Sequence, residues 1–239
     1  MYHILGIRIP GEIYRRVFRI AHNQLTDLST TKLHGLTHQI SLENNHIKWL
    51  NPSLFANVTG LQSLDLSYNV IKHLPAALFH GLIDLAYLNL GFNKIEAIPS
   101  GFFDKLVSLK ELSLKGNRLS HLSSHILVNL PQLEALDFSN NALTSVDDSA
   151  ISGEMPSLIW VDFSRNHLTN VPVWAFQKRS LSNANFSFNE ITFESFVKHL
   201  DGISKEHVRF ANCESGSSVI NMFKPNKHKI VSLEFNNIS

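Results

Sequence analysis

From Leu61 onward, apolar and polar positions recur on a fixed step. Leu61, Leu64, Leu66, Asn69, Ile71, Leu74, Pro75, Phe79 and Leu82 are followed by Leu85, Leu88, Leu90, Asn93, Ile95, Ile98, Pro99, Phe103 and Leu106. Each position returns after the same interval (85 − 61 = 24 and 109 − 85 = 24), and a period in this range means a stacked repeat array. Within one unit, Leu64 and Leu66 alternate with Ser63, Asp65 and Ser67, the pattern of a short strand with one wet face. Such a strand cannot stand alone, so stacking must pair the units' strands in parallel and bury a continuous apolar core. Leu74, Phe79 and Leu82 are the expected inward anchors of the return crossover. Asn69 closes the strand, where its amide can satisfy backbone groups that a tight buried turn leaves unpaired.

The same template fits in both directions from this centre. The ladder position is occupied by Asn23, Asn45, Asn69, Asn93, Asn117, Asn141, Asn166 and Asn189, and Cys213 takes it in a degenerate ninth unit. The stretch Ser152 to Pro156 adds one residue before Leu158. The reading divides the chain into a lead-in over 1–14, an array of about eight units over 15–204, and degenerate repeats over 205–239. Neither end shows a polar capping repeat, so the expectation is a piece of a longer gene product.

The pattern L-x-x-L-x-L-x-x-N-x-L is that of a leucine-rich repeat. With Pro at 75, 99 and 172 and Phe at 55, 79, 103 and 176, the units resemble the 24-residue "typical" class, found in Toll and Toll-like receptor, Slit and secreted insect leucine-rich immune protein ectodomains. The resemblance implies an α/β repeat fold: a curved horseshoe solenoid with a parallel β-sheet on the concave face and an irregular, 3-10 or short helical convex side. It also implies a non-enzymatic recognition module, extracellular or at the cell surface as part of a longer chain, that takes a protein or microbial-surface ligand. An intracellular scaffold, hence cytoplasmic, is the alternative, favoured by the single cysteine and by the absence of a signal-peptide core in Met1 to Pro10. A third reading is the substrate-recognition array of an enzyme whose catalytic part lies elsewhere. Dimerisation through the array or its flanks is compatible with each.

Ligand choice in an array resides in side chains that leave the concave face. The outward strand positions read as sets such as Ser63, Asp65, Ser67, Tyr68 and Tyr87, Asn89, Gly91, Phe92. Two binding clusters emerge from them. One is Tyr68, Tyr87 and Phe92 beside Asp65 and Lys115; the other is Trp160, Arg165 and Phe188 with Asp162. Aromatics and Arg are typical interface anchors, although β propensity alone also places aromatics on strands. The repeated Asp of this face also has a plain reading, that of keeping it soluble.

Composition removes whole function classes. The chain has 239 residues, 44% of them hydrophobic, and a net charge of +1. No basic face of the kind a nucleic-acid binder needs is implied, and no apolar run reaches the ~18 residues of a membrane span. There is no metal-spaced Cys/His set, phosphate loop, dinucleotide turn or nucleophile elbow, so no catalytic, metal or cofactor residues are assigned. The 13 His read as scattered surface residues. Glycosylation triplets start at Asn57, Asn185 and Asn237, about the number chance supplies for this composition. Asn57 falls on the outer flank, whereas a glycan on Asn185 would stand on the concave face.

Overall fold

The computed structural model describes residues 2–4, 7–9, 17–28, 33–152, 155–170, 172, 174, 181–191 and 207–209. Cys213, Phe176, Asn237 and most of residues 205–239 lie outside the described residues. Nine three-residue strands form one sheet, in the order Val17–Arg19, Gln39–Ser41, Ser63–Asp65, Tyr87–Asn89, Glu111–Ser113, Ala135–Asp137, Trp160–Asp162, Asn183–Asn185 and His207–Arg209. Every neighbouring pair is parallel and joins consecutive units, which is the solenoid the period demands.

Register follows the template. Leu64 pairs with Leu88, Leu88 with Leu112 and Leu112 with Leu136, so the inward leucines form an unbroken row. The added residue before Leu158 does not disturb it: Leu136 still pairs with Val161, and the turn that absorbs the insertion buries Met155. The convex side takes the irregular form. Among the described residues it is built of turns and two- or three-residue strands, which pair across units as Asp27–Leu28 with Trp49–Leu50, His34–Leu36 with Asn57–Thr59, and His121–Leu122 with Ser145–Val146.

The core is one continuous cluster from Leu25 to Ile191. Leu74, Phe79 and Leu82 are all buried, as the crossover role requires. In the N-terminal half the aromatic filling comes from the crossover, where Phe55 lies 6.2 Å from Phe79 and Phe79 lies 5.1 Å from Phe102. In the C-terminal half it moves to the strand exit, where Phe138, Phe163 and Phe186 stack at centroid spacings of 5.4 and 5.6 Å. Trp174 packs on Phe163 at 5.7 Å.

The asparagines form the ladder. Asn69 donates through Nδ2 to the carbonyls of Leu66, Ser67 and, in the preceding unit, Leu42, while its Oδ1 accepts the N–H of Ile47. Asn45, Asn93, Asn117, Asn141, Asn166 and Asn189 repeat this reach into the preceding unit. Asn23 is exposed and donates to Ala21 O. Buried backbone groups that no strand pairing reaches are satisfied this way.

Candidate recognition surface

The concave face is built from three rows, set by position in the unit. The first row is the opening residue of each strand, where Tyr87, Glu111, Ala135 and Trp160 stand side by side in register. The second is the closing residue, Asp65, Asn89, Ser113, Asp137, Asp162 and Asn185. Between them lies a shallow trough of about 410 Å³, whose walls include Tyr87, Trp160, Asp65, Glu111 and Asp137.

The second row does structural work. Asp65, Asp137 and Asp162 each accept, through Oδ1, the N–H two residues on. Asn89 and Asn185 do the same, and their amides donate across the rung to Asp65 Oδ2 and Asp162 Oδ2 at 3.2 and 3.1 Å. Solubility is therefore not the whole account of these aspartates: they turn the chain out of the strand, as Asx turns do. That turn overrides the alternation expected from the sequence. Ser67, Gly91, Ser139, Ser164 and Ser187, read as facing outward, are buried, because the capped backbone folds them between rungs. At Gly91 the fit is tight, since a Cβ would stand 3.0 Å from Asn89 Oδ1, whereas after Ser113 the same place in the unit holds the exposed Lys115.

The third row follows one residue later and is left-handed in each unit whose residue there is described. His22, Asn44, Tyr68, Phe92, Gly116, Asn140, Arg165 and Phe188 all have φ between 52° and 67°. Gly and Asn adopt this conformation at little cost, whereas bulky residues there are strained by roughly 1–3 kcal/mol each. Tyr68, Phe92, Arg165 and Phe188 accept that strain and stand on the rim. Tyr68 and Phe92 stack at 4.5 Å with planes 11° apart. The Arg165 guanidinium lies 4.5 Å from the Phe188 ring centre. Tyr68 remains 50% exposed and Phe188 40%.

The two clusters read from the sequence are thus sorted differently. Tyr68 with Phe92, and Arg165 with Phe188, meet on the rim. Tyr87 and Trp160, placed in separate clusters, share the trough, and Asp65 joins them there. Lys115 is exposed two residues before Asn117, and Asp162 sits at the strand end. Sequence reading missed Trp49, 49% exposed, which stacks on His73 at 6.5 Å with Lys48 over its ring. Their offset in successive units (73 − 49 = 24) was the available signal. Asn57 is exposed, whereas Asn185 is half-buried with both amide atoms engaged.

Among the described residues no group of His, Cys, Asp or Glu is placed to hold a metal ion, and no helix is long and apolar enough to cross a membrane.

Residues 37–95 and 83–143 match the family profile described as leucine rich repeat. Two solved structures share the fold. One is the TLR13–ssRNA13 complex, with a TM-score of 0.59 and 22% identity over 75% of this chain and 30% of that one. The other is the leucine-rich repeat domain of APL1B, with a TM-score of 0.56 and 22% identity over 72% of this chain and 51% of that one. The chain therefore spans about a third to a half of these relatives. No curated protein sequence matches it. With the profile over residues 37–143 and a nine-stranded parallel solenoid of the same fold, the chain carries a leucine-rich-repeat array.

Proposed function

We propose that this array recognises a protein or microbial-surface ligand on its concave face, as part of a secreted or cell-surface receptor-like protein. The observation that carries the reading is the rim. Four bulky side chains, Tyr68, Phe92, Arg165 and Phe188, occupy left-handed positions where the same chain uses Asn44, Gly116 and Asn140 without strain. They are paired, rigid and partly exposed, beside a concave trough. Strain held at a surface that packs no core is a mark of a functional site, and paired aromatics and Arg are the residues that anchor interfaces. Residues for catalysis have no comparable support.

The neighbours fit the reading at the level of architecture. The TLR13 structure is a complex with ssRNA13, but the trough here presents Asp65, Glu111 and Asp137, the wrong sign for a phosphate backbone. A macromolecular ligand other than RNA follows. The test is to pass the full chain through a secretory pathway and probe it against arrayed extracellular proteins and microbial envelope fractions, beside a Tyr68→Ser/Phe188→Ser variant. Secretion, with binding that the variant loses, supports the proposal. Retention in the cell, or binding indifferent to both substitutions, sinks it.

A further inference from the structure

We infer that the trough takes an extended, basic segment of a partner protein, with Lys or Arg at alternate positions. The inference rests on the recognition reading above and names the chemistry of the ligand.

Charge is the first argument. Asp65, Glu111 and Asp137 line the trough and, among the described residues, no Lys, Arg or His does. The lysine adjacent to Glu111 in sequence, Lys110, is occupied elsewhere, in an ion pair with Glu134 at 3.3 Å. Asp65 and Asp137 are fixed in place because one oxygen of each holds a backbone N–H. Their carboxylates are therefore presented without the freedom of an ordinary surface side chain.

Spacing is the second. Tyr87 and Trp160 occupy the same strand position three strands apart, about 14 Å at the usual spacing between neighbouring strands. Asp65 and Asp137 are likewise three strands apart in their own row, displaced by one strand, with Glu111 between. An extended chain repeats on one face roughly every 7 Å. Laid across the strands, its residues i and i+4 reach the rings of Tyr87 and Trp160, and residue i+2 falls over Glu111 and the small Ala135. Tyr87 and Trp160 each have a carboxylate on the strand before, Asp65 and Asp137, and Glu111 supplies one at the middle point, so a cation is favoured at all three. A sugar would also use aromatic walls, but it has no charge to answer three carboxylates.

The test is selection of a phage-displayed random peptide library on the full chain, with the enriched peptides then titrated against wild type, Glu111→Lys and Tyr87→Ser. Both positions are exposed, so the variants should melt as wild type does. The expected result is enrichment of peptides with Lys or Arg two residues apart. Their Kd should rise about tenfold or more in each variant and weaken with added salt. Enrichment of neutral or acidic peptides that still need Glu111 and Tyr87 would overturn the basic-ligand inference and leave concave recognition standing. So would displacement by neutral oligosaccharides of all peptides bound. Peptides insensitive to both substitutions would overturn the inference and remove support from the recognition reading with it.

Discussion

Phe92 lies across the backbone of Gly116, so closely that a Cβ on Gly116 would stand 2.7 Å from Phe92 Cδ1. The rim is thus continuous over three units, with Tyr68 on Phe92 and Phe92 on Gly116. Gly116→Ala meets two obstacles, a φ of +67° and the Phe92 ring. A loss of roughly 2–3 kcal/mol is expected in urea unfolding. In a Phe92→Ala background only the left-handed penalty remains, about 1 kcal/mol. A double-mutant cycle that gave simple additivity would refute the contact.

Arg165 offers the complementary case. Replacing it with Asn, which the chain already uses at Asn44 and Asn140, relieves backbone strain and removes the cation–π contact to Phe188. The two effects are each about 1 kcal/mol and opposed, so stability should stay within about 0.5 kcal/mol while ligand binding falls. Phe163, stacked between Phe138 and Phe186 in the core, sets the contrast: Phe163→Ala should cost about 3–5 kcal/mol.

The ladder makes a prediction about single amides. Asn93→Ala leaves the N–H of Ile71 without its buried partner, while the Leu66 carbonyl keeps the Asn69 amide. A loss of about 1–3 kcal/mol follows from the unsatisfied donor. Hydrogen exchange should report it at Ile71, in the unit before the substitution, rather than evenly along the array. Uniform acceleration would contradict the assignment.

Glycosylation separates the two described triplets. In secreted protein, Asn57→Gln should reduce the mobility shift caused by deglycosylation by one glycan, and Asn185→Gln should leave it unchanged. Asn57 is exposed on the convex flank, whereas the Asn185 amide is bound to Asp162.

What could be read from the sequence was whatever repeats. The strand register, the buried leucines and the asparagine ladder depend on positions that return each unit, so every unit corroborates the others. The concave face was harder because simple alternation stops one residue after each strand. Asp65 and its counterparts cap the turn in which Ser67 is buried, and Tyr68 next to it is left-handed. That geometry re-sorts the aromatics, bringing Tyr87 and Trp160 into one trough and leaving Phe92 against Tyr68 on the rim. The left-handed residue recurs in each described unit, but residue types as different as Gly, Asn, Arg and Phe fill it, so the residue pattern does not mark it.

The ladder has a mechanical sense as well. Each asparagine serves the unit before it: Asn69 holds Ile47 and Leu42, and Asn117 holds Ile95 and Leu90. Peeling away a later unit therefore strips the earlier one of two buried bonds, while loss of an earlier unit leaves the later asparagine its local carbonyls. Under tension such an array should yield rung by rung, and each break should leave its unpaired backbone groups on the N-terminal side, a ratchet whose teeth all point one way.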